Sequence, residues 1–228
     1  MKTTNDIKEK YNQTCVCVFR VMDAKLFFKT GKVQPVQDEN TVSNVKQVLK
    51  AIFYHYDDYK INFACSAGVF FVCVNFNNND SVCDILRFLT RVVYQVQKYL
   101  LQKLNLFVGG CISQGKYFSN KTQICLNNAK IVLDVEKCSV LAQPYICVDE
   151  VTFSAEVKLL ARENHLFKTR DDIYVINYFR FCKDVESMQF VVDYITKTKN
   201  QCSKQILLFK SMFDKACAKL KIDLANNS

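Results

Sequence analysis

The sequence predicts an α+β fold in which helices pack on a mixed β-sheet. Apolar, β-branched runs of strand length alternate along the 228 residues with segments whose apolar positions recur at helical spacing. Two of the strand-like runs are separated by only a dipeptide, which is typical of an antiparallel hairpin. Strands that alternate with helices and include one hairpin favour a mixed sheet over a purely parallel one.

The first predicted strand covers residues 14–21, whose sequence TCVCVFRV is apolar and rich in β-branched residues. A helix follows, and Asp38 or Asn40 can cap its first turn. The runs at 61–66 and 69–76 then form the hairpin, since only Ala67 and Gly68 join them.

The longest predicted helix begins at Asp80 or Ser81. Its apolar positions recur every three or four residues, so one continuous face is expected to be buried. These positions are Val82, Ile85, Leu89, Val92, Val96, Leu100 and Leu104.

The remaining elements continue the alternation and end in a helical pair. They are a strand at 106–113, a helix at 126–141, a strand at 144–151, a helix at 154–161, a strand at 171–179 and helices at 185–197 and 203–220. Because the chain has only two prolines and five glycines, no linker is expected, and residues 182–228 should pack as a helical extension on the same domain.

Cysteine and histidine usage argues against a metal centre. The chain has twelve cysteines and no Cys-x-x-Cys pair, and its two histidines, His55 and His165, are far apart. Cysteines in strand-like runs behave as small apolar residues in a reducing compartment. We therefore expect free thiols at Cys15, Cys17, Cys65, Cys73, Cys111 and Cys147, and no metal or other cofactor.

The charge and hydropathy predict a protein of the cytoplasm that does not enter a membrane. No run reaches the length of about 18 apolar residues that a bilayer crossing needs, and the amino terminus lacks an apolar signal segment. The net charge of +9 permits an anionic ligand such as a nucleotide. Much of the excess lies on lysines of the last thirty residues, and we interpret these as a solvated helix face rather than a nucleic-acid surface.

Several short segments occur in an order that resembles a known enzyme family. They are Phe19-Arg20 at the end of the first strand, FACSAGVF at 63–70, FVGGCISQGK at 107–116, NNA at 127–129 and PYICVD at 144–149. Together they resemble the catalytic domain of class III nucleotidyl cyclases, in particular the bacterial Pycsar-type pyrimidine cyclases. The resemblance runs from Thr14 to Phe179. It implies a ferredoxin-like, palm-type sheet and makes residues 1–181 a cyclase-homology domain.

The resemblance also implies where the catalytic metals would bind, and this chain departs from the family there. Arg20 stands at the position of the first metal-binding aspartate and Ala67 at that of the second. Gly109 and Tyr145 likewise stand where arginines are usual. Two-metal cyclisation needs carboxylate oxygens close to both cations. Because alanine offers no ligand and arginine repels a cation, we predict a pseudoenzyme with no catalytic residues and no metal.

Two alternatives keep an active cyclase open. Displaced ligands could come from Asp57 and Asp58 before the hairpin or from Asp23 after the first strand, although aspartates are common in polar loops. In this family, two domains also pair head to tail and share sites across the interface. The resemblance therefore implies a homodimer, or a heterodimer with a cyclase-type chain, and a role as partner, decoy or regulator in cyclic-nucleotide or antiphage signalling.

Arg20 has two interpretations. It could bind a nucleotide phosphate through its planar guanidinium, or it could pair with a carboxylate such as Asp23 or Asp149, which is the interpretation that the sequence favours. The candidate nucleotide-binding residues that the resemblance implies are Arg20, Ser66, Gly68, Gly110, Lys116 and Asn127. Solvation or helix capping would explain Lys116 and Asn127 equally well.

Overall fold

The structure is a computed structural model. It describes residues 13–30, 36, 38–54, 56, 60–66, 68–76, 81–120, 123–127, 145–150, 153–169, 171–177, 207–208, 210–215 and 218. The strands are β1 Gln13–Asp23, β2 Lys60–Ser66, β3 Val69–Phe76, β4 Leu106–Asn120, β5 Gln123–Asn127, β6 Ile146–Val148, β7 Leu166–Lys168 and β8 Tyr174–Ile176. The helices are α1 Ala24–Thr30, α2 Glu39–Phe53, α3 Val82–Tyr99 and α4 Ser154–Arg162, with a π-helical turn at Leu100–Leu104.

The sheet confirms the predicted α+β class. Its strand order is β2-β3-β1-β4-β6-β8-β7, and β5 pairs with β4 off this path. The β4–β6 pair is parallel and the other pairs are antiparallel, so the sheet is mixed. Strands β1 to β4 with helices α2 and α3 follow the βαββαβ order of a ferredoxin-like unit.

Both faces of the central strand β1 are buried. Its alternate residues Cys15, Cys17, Phe19 and Val21 belong to the main apolar core, and Phe19 lines a small void together with residues of α2 and α3. We call this side of the sheet the helix face. The other side, the far face, carries Thr14, Val16, Val18, Arg20 and Met22 of β1. A strand enclosed on both sides needs a nearly continuous apolar run, which is what its sequence provides.

Helix α3 begins where the sequence predicted. The Ser81 hydroxyl accepts a hydrogen bond from the backbone N–H of Asp84 and caps the first turn. After Tyr99 the helix widens into the π-helical turn and ends at Asn105, whose φ of 55° is left-handed. Helix α2 is capped by Asp38, one of the two residues that the sequence offered.

The predicted helix at 126–141 is wrong at its start. Leu126 and Asn127 lie in β5, which forms a hairpin with the end of β4, and the rest of that prediction lies outside the described residues. The segment QICLN suits a strand as well as a helix, so pairing with β4 decides its conformation. Helix α1 and strand β7 were not predicted from the sequence.

Near the carboxyl terminus, residues 207–208, 210–215 and 218 are helical, as predicted for that stretch. Met212 is buried in the core, so this segment packs on the sheet domain. The predicted helix at 185–197 lies outside the described residues. None of the helices that the structure describes combines the length and hydropathy that a membrane crossing requires.

Candidate functional site

Arg20 lies at one end of the sheet, where four neighbouring strands meet at the same level. It is paired in register with Val69 of β3 on one side and with Gly109 of β4 on the other. Val69 is in turn opposite Ser66, the last residue of β2. Because directly opposed residues of antiparallel strands point to the same face, Arg20 shares the far face with these three positions. The hairpin turn between β2 and β3 therefore lies beside Arg20.

That turn depends on Gly68, whose φ of 73° is one that side chains disfavour. The glycine lets β2 and β3 reverse direction within two residues, as the sequence predicted. Ala67 and the Ser66 side chain lie outside the described residues. Of the candidate nucleotide-binding residues, the fold thus brings Arg20, Ser66 and Gly68 to one corner of the sheet.

Arg20 has no partner in the described part of the chain. Its Nε is buried, and it is the only buried side-chain nitrogen or oxygen there that lacks a hydrogen bond. No ion pair among the described residues includes Arg20. The favoured prediction that Arg20 pairs with Asp23 or Asp149 is therefore wrong.

The positions of the two carboxylates give the physical reason. Asp23 is three residues from Arg20 on the same strand, so its side chain points to the opposite face, and its Oδ1 accepts a hydrogen bond from the backbone N–H of Leu26. Asp149 accepts a hydrogen bond of 3.1 Å from the Ser113 hydroxyl. Ser113 is about 13 Å along β4 from the residue opposite Arg20, at ~3.3 Å per residue. Neither carboxylate can neutralise the guanidinium.

Gly110 is required by close strand packing. A Cβ at this position would lie 1.9 Å from the Val18 carbonyl oxygen and 2.7 Å from the Phe19 Cα. The register pairs Gly110 with Phe19, so this residue belongs to the helix face and not to the face that carries Arg20. The sheet itself therefore explains this glycine without a ligand.

Lys116 and Asn127 lie at the other end of β4. They are opposite each other in the β4–β5 ladder, and their side chains lie outside the described residues. Seven residues separate Lys116 from Gly109, which corresponds to ~23 Å along an extended strand. The candidate residues thus fall into two groups that one nucleotide phosphate cannot contact together.

The strand cysteines are free and mostly buried, as predicted. Burial raises the pKa of Cys73 to about 12, and burial followed by the charge of Glu156 raises that of Cys15 to about 12. Such thiols stay protonated at neutral pH and are poor nucleophiles. Within the described ranges, no group of His, Cys, Asp and Glu side chains could hold a metal ion.

A polar network that the sequence did not reveal joins α3 to the end of α4. Arg87 donates to both carboxylate oxygens of Glu163, at 2.8 and 2.6 Å, and to Asp84 at 2.6 Å. The buried His165 lies 3.5 Å from the Thr90 hydroxyl. Since Thr90 is fully buried, we interpret the network as a structural connection between helices rather than a catalytic group. Its residues are up to 76 positions apart in sequence, so no local motif indicates it.

Comparison with solved structures finds cyclase domains. The monomeric guanylyl cyclase domain of the RhoGC fusion protein from the aquatic fungus Blastocladiella emersonii is 8% identical, with a TM-score of 0.48 over 73% of this chain and 95% of that chain. A bacterial light-regulated adenylyl cyclase is 10% identical, with a TM-score of 0.45 over 81% and 58% of the two chains. The guanylyl cyclase Cya2 is 9% identical, with a TM-score of 0.38 over 73% and 93%.

These proteins are nucleotide cyclases, the class of domain that the sequence motifs resemble. The comparison assigns no substrate or activity to this chain. The chain matches no family model and no curated protein.

Proposed function

We propose that this chain is a catalytically degenerate nucleotide-cyclase homologue that acts by binding rather than by turnover. The observation that carries the proposal is the guanidinium of Arg20, which lies on the far face beside the hairpin turn and whose buried Nε has no hydrogen-bond partner. The sequence resemblance puts a metal-binding aspartate at this position. A cation that no described carboxylate neutralises is the opposite of what a magnesium site needs.

The electrostatic cost of a metal ion at this corner supports the proposal. A unit charge ~4 Å from another of the same sign is repelled by about 4 kcal/mol at an effective dielectric constant of ~20, and a divalent ion by about twice that. Magnesium binding in proteins depends on one or two carboxylates together with substrate phosphates. Asp23, the described carboxylate closest to Arg20 in sequence, points to the other face and caps α1. The site therefore supports binding and not two-metal catalysis.

Incubation with the four ribonucleoside triphosphates and either Mg²⁺ or Mn²⁺, followed by chromatographic product analysis, tests the proposal. We expect no cyclic mononucleotide above the rate of a heat-denatured control. Formation of a cyclic product by the wild-type chain alone would refute it.

The competing function is an active cyclase with displaced metal ligands. Its proposed ligands, Asp57 and Asp58, lie outside the described residues. The same assay separates the two functions. A cyclic product that disappears in the Asp57→Asn and Asp58→Asn variants would establish the active cyclase in place of the binder.

A binding role requires a partner, and the proposed partner is a second cyclase-type domain. A homodimer is the simplest form, and a heterodimer with an active cyclase would make this chain a regulator or decoy in cyclic-nucleotide or antiphage signalling. Light scattering at tens of micromolar protein measures the mass directly. We expect twice the chain mass of 26.4 kDa, and a clean monomer would exclude the homodimer.

A further inference from the structure

The guanidinium of Arg20 is a polar group for which the described part of the chain supplies no partner. Its Nε is buried and unpaired, whereas the residue as a whole is only half-buried. Part of the residue is thus accessible from solvent. An unpaired donor in a buried position is costly, so such groups in folded proteins call for a ligand or another explanation.

The surroundings of Arg20 strengthen its attraction for an anion. Its neighbours on the far face include Val18 and Met22 of β1 and Val69 of β3, all of them buried and apolar. Apolar neighbours lower the local dielectric constant and exclude competing water, so a charge in this position interacts strongly with an opposite charge.

The strands that flank Arg20 place no side chain directly opposite it on the β4 side. There, the residue paired with Arg20 is Gly109. On the β3 side, the strand begins directly after the Gly68 turn. A planar guanidinium can present two parallel N–H donors, an arrangement that matches two oxygens of a phosphate group.

We propose that Arg20 binds the phosphate or pyrophosphate group of a nucleotide directly, without a metal ion. The inference rests on the proposed binding role and names its ligand class. The guanidinium supplies the positive charge that a cation would otherwise bring to the phosphates. The net charge of +9 favours the approach of such a polyanion.

Calorimetric titration in EDTA tests the inference, because EDTA removes divalent cations. The probes are sodium pyrophosphate, a nucleoside triphosphate and the corresponding nucleoside without phosphates. We expect the first two to bind and the nucleoside not to bind. Tighter binding of the triphosphate than of pyrophosphate would identify a nucleotide as the ligand, and equal binding would identify the free polyphosphate.

Two arginine variants separate a specific site from the general charge of the protein. Arg20→Met should weaken pyrophosphate binding about tenfold or more, the loss expected for one charge-assisted hydrogen-bonded contact. Arg91→Met removes the same charge from the exposed surface of α3 and should leave binding unchanged. Arg20→Lys keeps the charge but not the planar pair of donors, so it should also bind about tenfold more weakly. If Arg20→Met does not fold, the affinity of Arg20→Lys for pyrophosphate tests the inference.

Failure of this inference can be distinguished from failure of the proposed function. No binding of pyrophosphate in EDTA, or equal binding by wild type and the Arg20 variants, would overturn the inference and leave the proposal of an inactive domain standing. Binding that appears only when Mg²⁺ is added would overturn the inference and also argue for a metal site. A cyclic product in the turnover assay would refute the proposed function whatever the calorimetry shows.

Discussion

Replacing Arg20 by methionine should stabilise the fold. The substitution keeps an unbranched side chain among the apolar residues of the far face but removes the guanidinium, whose Nε is buried without a partner. A ligand site built around an unpaired charge reduces stability in the absence of its ligand, so removal of that charge should restore stability.

The size of the expected stabilisation follows from the Arg20 Nε, which is buried without a hydrogen-bond partner. Leaving one buried donor unsatisfied costs about 1–3 kcal/mol, and methionine has no donor to satisfy. Because the residue is half-buried, we expect the lower part of this range, an increase of about 1–2 kcal/mol in the free energy of unfolding. For a chain of this length, that corresponds to a rise in Tm of ~2–8 °C.

Urea denaturation followed by circular dichroism measures the change in phosphate-free buffer. Arg91→Met is the matched control, since Arg91 is exposed on α3 and its loss should change stability by no more than ~0.5 kcal/mol. A fall of more than ~1 kcal/mol in the free energy of unfolding of Arg20→Met, without a similar fall in Arg91→Met, would contradict this prediction. It would mean that the guanidinium has a stabilising partner in the protein.

Three further predictions concern the scaffold. Gly110→Ala would place a methyl group 1.9 Å from the Val18 carbonyl oxygen, so we expect the free energy of unfolding to fall by at least ~4 kcal/mol, or the variant not to fold. The same urea denaturation measures the change, and a fall below ~1 kcal/mol would mean that the two strands separate easily. The pKa values of Cys15 and Cys73, raised from 9.0 to about 12 by burial, predict that stability is unaffected below pH 9 and falls as pH rises from there towards 12. In that window the unfolded thiols ionise while the folded ones do not. Each thiol contributes about 1.4 kcal/mol per pH unit, so Cys73→Ala should make the alkaline decline shallower by this amount, and an unchanged slope would contradict the assignment. Glu163→Gln weakens the ion pair between Arg87 of α3 and the residue that follows α4, so the free energy of unfolding should fall by ~1 kcal/mol. Because salt screens the ion pair, the difference in free energy of unfolding between wild type and variant should be smaller at high salt.

The sequence predicted the elements whose signals are local. The hairpin followed from two apolar runs around Gly68, and the caps of α2 and α3 followed from Asp38 and Ser81. These features depend on residues a few positions apart. The strand–helix order then predicted the mixed sheet, since few topologies accommodate one hairpin within such an alternation.

The sequence could not predict the environment of Arg20. Whether a carboxylate meets this side chain depends on the strand order and on the registers of β1 and β6 against β4, which place Gly109 opposite Arg20 and Asp149 beside Ile112. The separation of Lys116 from the Arg20 corner has the same origin. The β4–β5 hairpin was missed because its short second strand carries no alternation strong enough to exclude a helix.

Crystals grown with a nucleoside triphosphate and Mn²⁺ show whether Arg20 binds phosphate in place of a metal ion, because the anomalous scattering of manganese locates each metal ion. We predict phosphate oxygens within hydrogen-bonding distance of the Arg20 guanidinium and no manganese between the end of β1 and the β2–β3 turn. Two manganese ions bound at that corner, with Arg20 turned away from the phosphates, would contradict it.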